Sequence, residues 1–522
     1  MKSKNMKLNR LIILAIAGLP FAFTAFAEEG AAANSTEAAE IQALKQEVRE
    51  LEQKVQALEQ RHAAEQQASA DTSKEQIQAL GQKVRVLERL RENDQDAAAT
   101  VAKAQPKFSL GASGFSFSSA DSNFVASLHG VVQVDSRTFR HDNNVPGNDS
   151  ILLRRARPIL SGTVYHDFDF LFVPEFGGGT PGSSSAATTP SIYDAYVNYR
   201  YSPAFQIQAG KFKAPVGLEQ LQSDVNLSFN ERSLVTDLVP NRDIGFELHG
   251  DIAGGVLSYA AGVFNGVGDA RNSANIGFQD NREFDGRLFV QPFKKSQTVA
   301  LQNLGIGVGG SWGTSSITNT LGLPASTGGS STSAGYFTDG QQQFFAYNPA
   351  SGGVVANGTH WRLSPQAYYY YGPFGLLGEY AISDQGVKNS ATLKTADLRN
   401  TAWDIAGGWV LTGEDAAFNG VTPRHPFNPR NGDWGALQLV ARYAELDVDK
   451  AAFPAFANPA TSASEAHAWA VGLNWYLNKN IRVNTSFSRT TFTGGGGAGT
   501  TVPAAVTQHP EDVFFTRVQL SF

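Results

Sequence analysis

The chain has 522 residues, of which 42% are hydrophobic and 17% are charged, and its formal net charge is -6. It contains no cysteine, which excludes disulfide bonds and thiolate metal sites, and the mildly acidic balance does not favour nucleic-acid binding. The nine histidines show no spacing typical of metal ligands, and the sequence has no recognisable nucleophile motif. We therefore predict a protein that is not an enzyme and needs no metal or cofactor.

The first 27 residues have the pattern of a secretory signal peptide. Basic residues occur between Lys2 and Arg10, an apolar run extends from Leu11 to Phe26, and Ala25-Phe26-Ala27 forms a small-x-small cleavage site. A retained N-terminal anchor is the alternative. No later stretch reaches the roughly 18 apolar residues that a spanning helix requires. We expect an exported protein, whose final location depends on the rest of the chain.

Residues 28–105 contain no Phe, Tyr or Trp and are predicted to form a helical coiled-coil arm. Apolar residues recur at spacings of three and four, with β-branched residues at a and Leu at d, a choice that favours dimers. A second block slips in phase by one residue, and we expect the stretch 63–73 between the blocks to loosen the coil. A single amphipathic helix is the alternative. The two blocks comprise Ile41, Leu44, Val48, Leu51, Val55 and Leu58, then Ile77, Leu80, Val84 and Leu87.

From Phe108 onward, short segments alternate in polarity. In the last segment, Phe514, Val518 and Leu520 fall on the apolar face and Arg517 and Gln519 on the other. One face towards lipid and one towards a polar lumen is the pattern of a membrane barrel. We predict an all-β fold over residues 106–522, a transmembrane antiparallel β-barrel of about 16 strands. The strands are expected to begin near residues 125, 151, 164, 190, 204, 241, 255, 283, 303, 359, 374, 400, 433, 464, 480 and 511. Another predicted strand places Tyr193, Ala195, Val197 and Tyr199 outward, against Asp194, Asn198 and Arg200.

The predicted connections alternate between short turns and long loops, as in bacterial outer-membrane barrels. The exception is Gly413 to Gly432, a long connection where a short turn is due. An even strand count places both barrel ends, and hence the arm, in the periplasm. The long loops are expected at about 141–150, 177–189, 215–240, 266–282, 314–358, 384–399, 447–463 and 494–510.

Eight short motifs follow one another along the barrel segment: Leu153–Arg157, Asp194–Val197, Gly210–Glu219, Phe229–Leu234, Asn241–Gly245, Gly262–Gly266, Ala441–Asp447 and Gly472–Leu477. Together they resemble the phosphate-selective porin O/P family over roughly residues 108–522. The resemblance implies a sixteen-stranded, trimeric outer-membrane porin, with the third loop, at about 215–240, folded into the pore. It also implies passive diffusion of small anions such as phosphate or polyphosphate.

An anion pore needs cations along its wall, and arginine suits because it stays charged and meets oxyanions bidentately. Several weak sites in series allow passage, whereas one tight site would trap the ion. By resemblance, the pore-lining cations are Arg154, Arg155, Arg232 and Arg242, and a pore-lining base and acid are Lys213 and Asp194. The alternation of polarity adds, as lumen-facing, Arg157, Arg200, Arg287 and Arg442. An ordinary salt bridge on a polar wall is the alternative for each.

The charge balance weakens the phosphate interpretation. Residues 106–522 hold 28 Lys and Arg against 33 Asp and Glu, a balance of -5, although the potential in a pore depends on which face holds the charges. Two alternatives therefore stay open. One is a general or carbohydrate-type porin, and the other is a barrel-anchored tether whose arm binds peptidoglycan or a periplasmic partner.

Overall fold

The computed structural model describes residues 37–140, 149–178, 190–275, 277, 280–316, 322–325, 334–348, 353–494 and 509–522. The predicted signal peptide, residues 1–27, lies outside the described residues, as does most of the predicted loops 141–150, 177–189 and 494–510. The chain divides into two compact units, residues 1–100 and 101–522.

Helix α1, Glu37–Ala104, runs without interruption through residues 63–73, where the sequence predicts a looser coil. No helix in the described part of the chain is long and apolar enough to cross a bilayer. The helix leaves the described residues of its predicted seam 47–69% exposed, namely Leu51, Val55, Leu58, Ile77, Leu80, Val84 and Leu87.

The rest of the described chain is mostly antiparallel sheet. Sixteen of its strands, the nine between residues 124 and 316 and the seven between residues 354 and 521, form a closed barrel in which the last strand, Glu511–Ser521, pairs with Phe124–Phe139. This confirms the predicted sixteen-stranded barrel. The strands are β1 Lys107–Gly111, β2 Gly114–Ser118, β3 Phe124–Phe139, β4 Ser150–Val164, β5 Phe168–Glu175, β6 Ser191–Ser202, β7 Phe205–Lys213, β8 Arg242–Ile252, β9 Leu257–Phe264, β10 Glu283–Val290, β11 Leu304–Ser316, β12 Gly335–Phe337, β13 Gln343–Ala346, β14 Val354–Tyr371, β15 Phe374–Asn389, β16 Thr395–Val410, β17 Ala436–Asp447, β18 Ala463–Tyr476, β19 Ile481–Gly494 and β20 Glu511–Ser521.

One predicted loop is wrong. Residues 384–399 were expected to form a connection, but β15 continues to Asn389 and β16 begins at Thr395, with pairing up to Lys388 and Thr395. A strand can extend beyond the bilayer because its ladder of hydrogen bonds does not depend on lipid, so polar residues such as Asp384 still pair. The true connection is residues 390–394.

The outer surface carries aromatic pairs at two levels. Towards the long loops, Trp403 packs on Tyr443 with ring centroids 5.3 Å apart. Towards the short turns, Phe374 stacks on Trp409 at 6.0 Å. Aromatic girdles of this kind mark the two membrane interfaces of outer-membrane barrels. In β20, Phe514, Val518 and Leu520 are exposed on this surface while Arg517 and Gln519 are buried inside, as predicted.

An apolar core fills one side of the barrel on the long-loop side. Its loop components are the short 3-10 helix Leu234–Leu238, the β12–β13 hairpin, and Phe453 and Phe456. They pack on the inner faces of β15 to β18, which carry small residues such as Ala402 there. The space that stays polar is therefore displaced towards β3 to β10.

The long connection between β16 and β17, residues 411–435, folds back towards the lumen. Its Phe418 ring stacks on Tyr368 with centroids 5.3 Å apart, and the Phe418 carbonyl accepts a hydrogen bond of 2.7 Å from the Gln222 amide. Gln222 belongs to the loop between β7 and β8. This unusually long connection thus supports the β7–β8 loop from the short-turn side of the barrel.

Candidate functional site

Loop 3, residues 214–241 between β7 and β8, crosses the lumen and is docked first on β11, β14 and β15. The Glu379 carboxylate accepts hydrogen bonds from the backbone N–H groups of Leu218, at 2.9 Å, and Glu219, at 3.0 Å. At Gly309 the backbone of Val216 approaches so closely that a Cβ would lie 2.1 Å from its carbonyl oxygen. The loop therefore rests directly against the wall.

The Glu231 carboxylate of loop 3 lies among three arginines of the barrel wall. Arg154 donates to both oxygens, at 2.7 and 3.0 Å, Arg137 donates at 3.0 Å and Arg517 at 3.1 Å. Burial alone would raise the pKa of Glu231, but Arg154, Arg137 and Arg517 hold it well below its usual value. Arg517 also makes a bidentate pair with Asp135 at 2.6 and 2.7 Å. Glu231 is thus an internal counter-anion of the arginine cluster.

A second loop carboxylate, Asp224, has the same environment. Arg157 donates to it, the Arg232 guanidinium lies 2.6 Å away, and Arg155 lies 3.4 Å away. The Tyr193 hydroxyl donates a hydrogen bond of 3.1 Å. Burial would raise the pKa of Asp224, yet these arginines hold it well below its usual value. Three predicted site arginines of the wall, Arg154, Arg155 and Arg157, therefore meet loop 3 through its own carboxylates, and Arg232 pairs with Asp224 within the loop.

The predicted outward position of Tyr193 is wrong. The ladder between β5 and β6 shifts register at this point. Asp194 pairs with Val173 and Ile192 pairs with Pro174, so Tyr193 between them is an extra residue without a partner in the ladder. Such a bulge turns a side chain to the other face. The Tyr193 ring accordingly lies in the lumen, with the guanidinium carbons of Arg157 and Arg242 3.5 and 3.4 Å from its centroid, a cation–π arrangement.

The remaining predicted pair of base and acid lies beside this ring. Arg242 pairs with Asp194 at 3.0 Å. Lys213 is the strand partner of Arg242, and its ammonium donates to the backbone carbonyls of Leu221, at 3.2 Å, and Gln222, at 2.7 Å. Lys213 thus anchors loop 3 without a carboxylate partner among these contacts.

Arg442 lies away from the cluster, buried beneath loop 3. It donates to the Glu219 carboxylate at 3.3 Å, to the Asp339 carboxylate at 2.8 Å, and to the backbone carbonyl of Glu231 at 3.0 Å. All of these partners belong to loop segments that fill the barrel. We therefore assign Arg442 a role in holding the loops.

Arg287 and Arg200 also lie apart from the cluster. Arg287 donates to the side-chain carbonyl of Gln366 at 2.8 Å and is half-buried. Arg200 is exposed at the short-turn end, where it pairs with Asp169 at 3.0 Å. The structure thus brings together Arg154, Arg155, Arg157, Arg232, Arg242, Lys213 and Asp194, and leaves Arg200, Arg287 and Arg442 elsewhere.

Two cavities lined by charged residues lie on either side of loop 3, the upper one towards the long loops and the lower one towards the short turns. The upper one has a volume of about 470 Å³ and the lower one about 190 Å³. Lys213 and Arg287 line the lower cavity. Arg242 lies between the two cavities, because it is the strand partner of Lys213, which lines the lower one, and stacks on Tyr193, which lines the upper one. The upper cavity is lined by Arg154, Arg155, Arg157, Arg232, Glu175, Glu231, Asp237, Tyr193, Gln220 and Asn241, among others.

The opposite wall is acidic. Asp243 and Glu247 of β8 and Glu283 and Asp285 of β10 are buried on the lumen side. Arg362 of β14 pairs with Glu283 at 3.0 Å, and Arg287 of β10 also lies on this wall, beside Gln366. The lumen therefore has a basic wall on β3, β4 and β20 and an acidic wall on β8 and β10.

The sequence analysis did not identify the carboxylates that organise the site, Asp224 and Glu231, although Glu231 adjoins Arg232 in the motif Phe229–Leu234. It also missed Arg137, and it placed Arg517 on the polar face of β20 without counting it as a site residue. Inward alternation in β3 is the signal that identifies Arg137. No local pattern shows which loop residue meets which strand.

Among the described residues, no three His, Asp or Glu side chains are grouped so that they could hold a metal ion.

The chain is similar to known porins. A family model described as "Phosphate-selective porin O and P" matches residues 127–502. Porin O of Pseudomonas aeruginosa is 22% identical over 391 residues, which cover 72% of this chain and 84% of that protein. Solved structures include the outer-membrane channel DcaP of Acinetobacter baumannii, with 10% identity, a TM-score of 0.47 and coverage of 77% of this chain and 98% of that one. An anion-selective porin from Comamonas acidovorans has 11% identity and a TM-score of 0.44, covering 76% and 100%. The family match extends over most of the chain, so this chain belongs to the phosphate-selective porin O and P family and is an outer-membrane porin for small solutes.

Proposed function

We propose that the pore conducts small anions, phosphate among them, with moderate preference over cations. The supporting observation is the charge excess of the basic wall taken together with Glu175 and the loop 3 residues that dock on it. Six arginines surround four carboxylates there, so two positive charges are in excess. They are Arg137, Arg154, Arg155, Arg157, Arg232 and Arg517, with Asp135, Glu175, Asp224 and Glu231.

The internal pairing explains why the preference should be moderate. A guanidinium that already donates to a carboxylate has fewer free N–H groups for a passing oxyanion. Several partly satisfied arginines form weak sites in series, which favour passage over trapping.

The test is the reversal potential of the protein in a planar bilayer under a potassium chloride gradient, repeated with added phosphate. We expect anion preference and a reduced chloride current in phosphate. Arg154→Ala should lower the preference, because it removes a charge from the upper cavity. The matched control is Arg399→Ala, since Arg399 is 60% exposed and pairs with Asp384 away from loop 3. Cation preference without a phosphate effect would instead favour a general or carbohydrate-type pore.

We also propose that the protein is a homotrimer whose α1 helices associate in the periplasm. The exposed seam of α1 supports this, because an isolated helix gains nothing from an apolar stripe in water. The cysteine-free sequence permits a direct test. Val84→Cys, at an a position, should form an interchain disulfide on oxidation, whereas Gln82→Cys, on the opposite side of the helix, should not. Absence of cross-linking at position 84 would favour a single helix that binds the cell wall or another partner.

A further inference from the structure

The β1–β2 hairpin, outside the sixteen-strand barrel, is strongly amphipathic. Phe108 pairs directly with Phe117, and Leu110 with Phe115. Because directly paired residues share a face, these four side chains form one apolar face, and they are 37–64% exposed. The Phe108 and Phe117 rings pack with centroids 5.1 Å apart. The other face carries Lys107, Ser109, Ser116 and Ser118.

The hairpin continues the barrel wall. β20 pairs with β3 from Val131 to Phe139, and below this point β2 takes its place along Val125 to Leu128. The tip of the hairpin is fixed as well, because the Asn480 side-chain amide in the β18–β19 turn donates to the Ala112 carbonyl at 2.7 Å. The hairpin thus fills the space beneath the end of β20, at the short-turn rim of the barrel.

The apolar face of the hairpin points to the same side as the lipid-facing surface. Phe115 pairs with Leu128, and Leu128, like Val132 further along β3, is exposed on the outer surface of the barrel. Gln133, one residue further on, is buried in the lumen. The apolar face is therefore continuous with the surface that contacts lipid.

We propose that the hairpin docks on the inner leaflet of the outer membrane and extends the lipid-binding surface of the protein beyond the barrel. Lipid is the expected occupant because the apolar face of the hairpin is continuous with the lipid-facing surface of the barrel. Phe side chains suit the boundary between headgroups and acyl chains, and the Ser-rich face suits water. Lipid contact also supplies the burial that the apolar face lacks among the described residues.

Nitroxide labelling tests the proposal, since the chain has no cysteine of its own. Phe115→Cys and Ser116→Cys place labels on the two faces of β2. Val471→Cys, exposed on the outer surface of β18, is the control for lipid contact. In liposomes, the label at F115C should collide with oxygen and lose collisions with a water-soluble nickel chelate, as at V471C. The label at S116C should retain nickel collisions.

Two results would overturn lipid docking. Equal nickel collisions at both hairpin positions would show that both faces meet water. Loss of collisions with both reagents at F115C, with dipolar broadening between subunits, would show that a second copy covers the face. Heat-modifiable migration of each labelled protein establishes beforehand that the barrel is folded, so a folding failure is not mistaken for either result. Ion conductance is a separate readout that these substitutions should leave unchanged.

Discussion

Replacing Glu231 by Gln and Asp224 by Asn together should convert a moderately selective pore into a strongly anion-selective one. Each carboxylate is surrounded by three guanidiniums, and an amide of the same shape removes the charge with little change in packing, although the loss of buried ion pairs should also lower the stability of the barrel. The basic wall would then hold six arginines against two carboxylates, Asp135 and Glu175, so its excess would rise from two positive charges to four.

The expected effect is large because the arginines sit where water is limited. A unit charge at 4 Å in a medium of effective dielectric constant 20 contributes about 4 kcal/mol. If screening leaves about 1.4 kcal/mol in total from the two substitutions, the anion preference changes by about tenfold. We expect the chloride-to-potassium permeability ratio to rise by about that factor, and phosphate to reduce the chloride current at lower concentration than in the parent protein.

The control removes the same number of charges elsewhere. Glu88→Gln with Glu92→Gln alters the exposed surface of α1 and should leave the permeability ratio unchanged. If the loop 3 variant folds into a conducting barrel but shows the parent ratio, the arginine cluster does not face the ion path, and the proposed basis of selectivity is wrong.

The positions of the strands were predictable because a membrane barrel imposes a local rule, in which lipid-facing and lumen-facing side chains alternate with a period of two residues. In β20 that rule placed Arg517 inside and Phe514 outside. The largest departures in strand position are β14 and β16, which begin at Val354 and Thr395 rather than near 359 and 400. There the strands extend beyond the membrane, where alternation against lipid no longer applies.

The site was less predictable because its contacts depend on register shifts and long-range packing. One extra residue in a ladder reverses the faces around it. Tyr193 enters the lumen in this way, and Arg154 is likewise unpaired between Leu153 and Arg155 in the β3–β4 ladder. Loop 3 has no period, so nothing local shows that Glu231 meets Arg517, which is 286 residues distant.

Replacing Asp135 by Asn should destabilise the barrel by about 3–5 kcal/mol, which is the usual result of removing one partner of a buried ion pair. Asp135 and Arg517 have fully buried side chains and a bidentate contact, and the substitution leaves the Arg517 charge with one anionic partner, Glu231. Urea unfolding in lipid vesicles, followed by heat-modifiable migration, would measure the loss.

The matched control is Asp384→Asn, which breaks a similar contact of 2.9 Å to Arg399 on the exposed surface. An exposed pair contributes about 1 kcal/mol or less, so its loss should be small. The double variant Asp135→Leu with Arg517→Met removes both charges, and it should recover most of the stability because apolar residues can replace a buried pair. Equal losses for Asp135→Asn and Asp384→Asn would show that water reaches the Asp135–Arg517 pair. In that case the arginine cluster would be hydrated, and its guanidiniums would interact with passing anions more weakly than a buried cluster does.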